Sequence, residues 1–250
     1  MKDNNQLLYG LHPIREALVA GKVLDKLFVL KDMKTDQAKE LISLAKEAGV
    51  SIIKSPKEKL DRLCKNNHQG FVAFTSPIEF GNLDVLVQQI FEKSEAPFFI
   101  VLDKVNDVRN FGSIARSALC AGAHAIIIPH KGASSISEDA IKTSAGALHY
   151  LPVCKVSSLG DAIKTLFFSG VATVACHEKS EKSIHETDFV RPINILLGNE
   201  GEGIEPHLVR MARETALIPM HGEVSSLNVA VASGICLFEV SRQRAAAGLD

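Results

Sequence analysis

The chain has 250 residues, 46% of them hydrophobic, and its 28 Lys/Arg against 29 Asp/Glu leave a formal net charge of −1. That is enough apolar chain for one large core or two small ones, without the global positive field that marks many nucleic-acid binders by charge alone. Membrane, secreted and zinc classes are disfavoured: no run reaches the roughly 18 apolar residues of a spanning helix, the first residues lack a signal peptide's apolar core, and the five scattered cysteines contain no CxxC pair and suit reduced thiols in a cytosol.

The first 75 residues alternate between the two periodicities. LHPIREALVAG (11–21) predicts a short helix with Pro13 in its first turn and Gly21 as its stop. DKLFVLK (25–31) predicts a strand, TDQAKELISLAKEAG (35–49) an amphipathic helix and VSIIK (50–54) a second strand. In SPKEKLDRLCK (55–65), Ser55 is the expected N-cap, Pro56 the first helical residue and Glu58 the partner of a capping box. FVAFT (71–75) closes the module as a strand. Residues 76–97, with a predicted helix over 83–93, are taken as a linker.

From residue 98 apolar strands and helices alternate: FFIVLD, NFGSIARSALCAG, AIIIP, SEDAIKTSAG, LPVCKV, LGDAIKTLFFSG, VATVAC, INILLG, TALIPM and a last helix from about Ser226. Strands of four to six apolar residues separated by helices predict a parallel sheet covered on both faces. The last helix is apolar or small nearly all round over VAVASGICLF (229–238), which makes it a core helix or a subunit contact.

Three clusters carry candidate chemistry. In the first, residues 103–122, Asp103 ends a strand, Asn110 is the expected helix N-cap, and Arg116 lies among small apolar residues and needs an anion or carbonyl partner. The second is LLGNEGEGIEP (196–206). Its G-x-x-G-x-G order is not that of a dinucleotide site and no Gly-Lys-Ser/Thr follows, while Glu200 and Glu202 would repel a pyrophosphate. A dehydrogenase or NTPase is therefore disfavoured, and a neutral or cationic ligand, or a hydroxyl that must lose a proton, is favoured. In the third, residues 216–234, Ser225, Ser226 and Asn228 crowd the start of the last helix, more small polar groups than one cap requires. HEKSEKSIHE (177–186) has no histidine pair at i, i+4 and reads as a solvated loop. No metal is expected. His124 and His149 read as structural, and Cys120 as inert core.

In this order the clusters resemble the SpoU/TrmH family of RNA ribose 2′-O-methyltransferases, within the SPOUT superfamily. NDVRNFGSIARSALCAG is similar to the first family motif, LLGNEGEGI to the second and IPMHGEVSSLNVAVASG to the third. YGLHPIREAL and HQGFVAF match the start and end of the family's substrate-binding module. The subgroup most resembled methylates a guanosine ribose in large-subunit ribosomal RNA. The resemblance implies an RNA-binding domain at 1–75 and a catalytic domain at 98–250 whose parallel sheet ends in a trefoil knot. It further implies S-adenosylmethionine as methyl donor, a cytoplasmic homodimer through the knot helices, and ribosomal RNA as substrate, with transfer RNA or a non-catalytic assembly role as alternatives. Carried over by motif, the polar catalytic positions are Asn110, Arg116, Glu200, Ser226 and Asn228. Cofactor contacts fall on Gly198, Ile218 and Leu227, with Gly201, Gly203 and Met220 beside them. Arg116 is expected to bind a phosphate and stabilise a developing alkoxide, Asn110 to orient Arg116 or the ribose, and Glu200 to accept a proton or hold Arg116. RNA contacts are expected from Lys57, Lys59, Arg62, Lys65, His68 and Gln69.

Overall fold

The structure is a computed structural model that describes residues 7–134, 136–221 and 226–249. The chain divides into two units, with the boundary between Glu79 and Phe80.

In the first unit, β1 (Leu7–Tyr9), α1 (Leu11–Val19), β2 (Leu24–Leu30), α2 (Asp36–Glu47), β3 (Ser51–Ser55), α3 (Lys57–Leu63) and β4 (Phe71–Thr75) form a four-stranded sheet ordered β1-β4-β2-β3. β4 runs antiparallel to both neighbours, and β2 and β3 are parallel. The period-2 alternation of β2 explains the layering. Leu27 and Val29 face Ile14 of α1 and Leu41 of α2, whereas Phe28 faces Leu60 of α3. The expected cap of α3 is displaced. Ser55 is the buried last residue of β3, paired with Leu30, and Pro56 holds the N-cap position with no side-chain bond.

The second unit contains β5 (Phe80–Gly81), α4 (Leu83–Glu92), β6 (Phe98–Leu102), α5 (Val108–Cys120), β7 (Ala125–Pro129), α6 (Glu138–Thr143), β8 (Val153–Val156), α7 (Leu159–Phe168), β9 (Ala172–Cys176), β10 (Ile193–Leu197), α8 (Pro206–Met211), β11 (Glu214–Ala216) and α9 (Val229–Ala246). Its seven strands are all parallel, in the order β11-β9-β10-β6-β7-β8-β5. The run 76–97 is thus only partly a connection. Gly81 and Phe80 pair with β8, and α4 buries Leu83, Val87 and Ile90 in the same core as Phe99, Val101 and Leu196. α7 and α8 join that core through Leu166 and Leu208, while α5 packs on α6 and α9. Every residue of β6 and β10 is buried, as central strands covered on both faces require.

α9, expected as a core helix or a subunit contact, is in part a core helix. Val229, Ser233, Cys236, Leu237 and Val240 are buried, yet Val231, Ile235 and Phe238 stay 51%, 37% and 52% exposed. Its far end is held by Arg244, which donates to the carbonyls of Phe189, Ala96, Pro97 and Arg191 and lies 5.1 Å from the Phe98 ring centroid. Among the described residues no carboxylate joins this group, so burial pulls the guanidinium pKa down and the four carbonyls carry its charge.

Candidate active site

After the short edge strand β5, the chain crosses to the middle of the second sheet at β6, builds outward through β7 and β8, then returns to the other side of β6 with β9 and with β10 between β9 and β6. Such a reversal opens a crevice at the carboxyl ends of the strands, where open parallel sheets bind ligands. The loop after β10, the turn after β6 and the segment after β11 all end there.

The glycine loop is folded upon itself. The Asn199 side chain accepts the backbone N–H groups of Gly201 and Glu202, and the Gly203 N–H bonds back to the Asn199 carbonyl. A Cβ on Gly198 would overlap the backbone of Gly203 and Ile204, and Gly203 sits at a φ of +69°. Both positions therefore demand glycine because of the loop itself. At Gly201 the nearest atom to an added Cβ is 3.8 Å away and φ is ordinary, so this third glycine is not required by the loop's shape.

Beneath this loop lies a cavity of about 330 Å³. Gly198, Glu200, Gly201, Gly203, Ile218, Met220, Ser226 and Leu227 line it together, so three separate stretches of sequence converge on one space. Cys176, His177 and Glu178 at the end of β9 line it as well. His177 and Glu178 belong to the segment expected to be a solvated loop and Cys176 to the strand VATVAC, and the end of a parallel strand is the signal that singles them out. Glu178, Glu200 and Glu202 are on its wall, and among the described residues no Lys or Arg is. That charge balance suits a cation joined to an uncharged nucleoside and disfavours a phosphate. The Cys176 thiol meets that of Cys236 at 3.2 Å, and this hydrogen bond together with burial raises its pKa well above the ordinary thiol range.

At one side of the cavity a polar cluster joins all three motifs. The Asn110 amide donates to Glu200 Oε1 at 2.9 Å. The Asn228 amide donates to the same oxygen and, at 3.1 Å, to Asn110 Oδ1. The Val229 backbone N–H also points at Glu200 Oε1, from 3.4 Å. Asn228 is the N-cap of α9, its Oδ1 accepting from the Ala230 and Val231 N–H groups. Glu200 thus sits at a helix N-terminus with one oxygen saturated by donors and Oε2 without a protein partner among the described residues.

Several expectations are corrected here. α5 is capped by Asp107, whose side chain accepts from the Arg109 and Asn110 N–H groups, and not by Asn110. Glu200 holds the two asparagines and makes no bond to Arg116. Arg116 is exposed on α5 and has no hydrogen-bond or ion-pair partner among the described residues. It lies about 9 Å along the helix from Asn110, six residues at the usual rise. Cys120 is exposed rather than core. Within 177–186, Ile184–Glu186 form a 3-10 turn with Ile184 buried and a Ser183/Glu186 capping box, so the segment is more ordered than a solvated loop. Ser225 lies outside the described residues. His124 is structural, its Nδ1 accepting the Phe98 N–H.

In the first unit Lys57, Lys59, Arg62 and Lys65 are exposed around α3, with Lys59 over the Phe28 ring at 5.3 Å. His68 and Gln69 do not join them. The His68 ring is buried between Asp61 and the Gly70 N–H, and Gln69, at a φ of +52°, turns its side-chain oxygen to the Leu11 N–H. Both are committed to the turn before β4.

A two-unit α/β protein with a cavity at the switch point of a parallel sheet, walled by carboxylates and bordered by an Asn–Glu–Asn cluster, has the plan of a cofactor-dependent transferase. The chain belongs to the SpoU rRNA methylase family, whose profile it matches over residues 97–238, and residues 7–81 match the RNA 2′-O ribose methyltransferase substrate-binding module. It is similar to the 23S rRNA (guanosine-2′-O-)-methyltransferase RlmB of Photobacterium profundum, with 37% identity over 96% of this chain and 99% of that one. Among solved structures it resembles the SpoU methyltransferase AviRb of Streptomyces viridochromogenes in complex with AdoMet (26% identity, TM-score 0.62, 96% of this chain and 90% of that one). It also resembles an AdoMet-bound rRNA methyltransferase of Sinorhizobium meliloti (27%, TM-score 0.60, 95% and 87%). Among the described residues no helix is long and apolar enough to cross a membrane, and no group of three or more His, Cys, Asp or Glu is placed to hold a metal.

Proposed function

We propose that the chain methylates the 2′-hydroxyl of a guanosine ribose in 23S ribosomal RNA, with S-adenosylmethionine as donor. The observation that carries this reading is the carboxylate-walled cavity beside the Asn110–Glu200–Asn228 cluster. When bound, the cofactor supplies an electrophilic methyl on a positively charged sulfur. The backbone around Gly198, Ile218 and Leu227 would hold its adenosine, with Gly201, Gly203, Met220 and Ser226 completing the wall. Glu200 Oε2, without a protein partner among the described residues, would accept the proton of the attacking hydroxyl, and Asn110 and Asn228 would hold the carboxylate through Oε1. Arg116, exposed and without a partner among the described residues, is suited to bind the neighbouring phosphate and stabilise the alkoxide, since a guanidinium is a donor only and a poor base.

Residues 7–79 would select RNA through Lys57, Lys59, Arg62 and Lys65, in an interaction that weakens with salt. The exposed stripe Val231, Ile235 and Phe238 supports a homodimer through α9, an apolar face too regular to leave in water. A trefoil knot formed by the segments after β10 and β11, and a cytoplasmic location, complete the proposal. The deciding experiment is transfer of tritiated methyl to unmodified 23S rRNA, followed by mapping of the 2′-O-methylated nucleotide. Label on a guanosine ribose is expected; label on transfer RNA alone, or on a base, overturns the substrate assignment.

A further inference from the structure

The turn joining β6 to α5 carries two side chains that reach across to the glycine loop. Asp103 is only 4% exposed. Its N–H bonds to the Leu197 carbonyl at 2.8 Å, and its Oδ2 accepts the Glu205 N–H at 2.8 Å. Burial raises its carboxyl pKa above the ordinary range, and the Glu205 N–H opposes that rise. Lys104 follows at a φ of +54°, a left-handed conformation that L side chains disfavour. From that position its Nζ lies 2.9 Å from Glu202 Oε2 and 2.9 Å from Glu205 Oε1. The two carboxylates flank Gly203, whose backbone is the surface against which Gly198 packs. One cation therefore spans the second half of the loop, while Asp103 fixes its exit. Glu202 is on the cavity wall. Lys104 is not among the residues that line the cavity and meets its wall through Glu202.

We propose that Asp103 and Lys104 are positioning residues for the donor site: they hold the 198–205 loop in its cofactor-binding shape, and Lys104 neutralises the Glu202 carboxylate at the cavity wall. This rests on the donor assignment made above. Without the cation, Glu202 and Glu205 repel across Gly203 and the wall is formed only part of the time. Apparent affinity then falls by the fraction of molecules in which it is formed. The ion pairs are solvent-exposed and partly screened, so the loss is modest, roughly three- to tenfold.

Calorimetry with S-adenosylhomocysteine tests this on the full chain, because that probe lacks the sulfonium charge and reads loop order rather than attraction to the carboxylates. Lys104→Met is expected to raise its Kd about three- to tenfold and to raise KM for the donor similarly, with kcat at saturation within about twofold. Lys104→Arg should recover most of the affinity, and Glu202→Gln should show a smaller loss in the same direction. Raising NaCl from about 50 to about 500 mM should weaken binding to the natural chain more than to Lys104→Met, a dependence that general loss of packing would not move. Equal affinity and equal salt response of Lys104→Met and the natural chain overturn the proposal. If that variant does not fold, unchanged binding by Glu202→Gln overturns it. Absence of heat with the natural chain instead overturns the donor assignment.

Discussion

Asn228 does two jobs with two atoms, and substitution can separate them. Its Oδ1 caps α9, and its Nδ2 holds Asn110 and Glu200. Asn228→Ala removes both. Loss of the cap costs about 1 kcal/mol, and the two exposed side-chain hydrogen bonds contribute together about another 1 kcal/mol. For a unit of this size the sum of about 2 kcal/mol lowers Tm by roughly 4–8 °C. The freed Glu200 carboxylate is also displaced, which should lower kcat on the order of 10- to 100-fold. Asn228→Ser restores an acceptor for the helix N–H groups, but its shorter hydroxyl cannot reach Asn110 and Glu200 together. It should therefore recover most of the Tm and little of the rate. Thermal unfolding and methyl transfer measured on the same preparations decide the matter. If Asn228→Ser recovers both, Asn228 is a cap alone and the cluster has no part in the chemistry.

Gly198→Ala should abolish cofactor binding, because its Cβ overlaps the Gly203 backbone, whereas Gly201→Ala should bind within about threefold of the natural chain by calorimetry. Arg116→Ala should lower kcat on the order of 10²–10³ with S-adenosylhomocysteine affinity intact; unchanged turnover on authentic RNA removes it from the mechanism. The Arg242 guanidinium pulls the nearly buried Glu239 carboxyl down to about 2 from an ordinary 4.5. A depressed carboxyl stabilises above its unfolded pKa and loses that contribution as pH falls through the folded one. Glu239→Gln should accordingly cost about 1–2 kcal/mol above about pH 5, discounted for the exposed Arg242, and the difference should vanish toward pH 2 in chemical denaturation.

What the sequence made legible was whatever a local pattern decides. The buried strands β6, β7, β9 and β10 are apolar runs bounded by turn residues, and the amphipathic helices α2 and α7 carry their own stop signals. Elements settled by distant partners were not legible. β1 and β5 have three and two residues, too few to show a period, and each exists because a strand lies beside it. Ser55 satisfies every local criterion for a capping box, but pairing with Leu30 of β2 draws it into the sheet. The helix at 83–93 was expected, but not its place in the second core, because amphipathicity shows that a face is buried and not what covers it.

The site shows the same division at finer scale. Asn110 and Asp107 stand three residues apart, both good caps, and composition cannot choose between them. The choice matters because a side chain that caps is not free to do chemistry. With Asp107 bound to the first N–H groups of α5, the Asn110 amide is released toward Glu200. On α9 the outcome is the opposite, since Asn228 caps with its oxygen and still has its nitrogen for Glu200, a division that an ionised aspartate, with no donor, could not make. The glycines follow this logic too: Gly198 and Gly203 are fixed by the loop's contact with itself before any ligand is considered. A cavity assembled in this way is shaped by the folding of its walls, so substitutions in those walls should alter cofactor affinity and stability together, whereas substitution of Arg116, which is not a lining residue, should alter methyl transfer to RNA and leave cofactor affinity and stability unchanged.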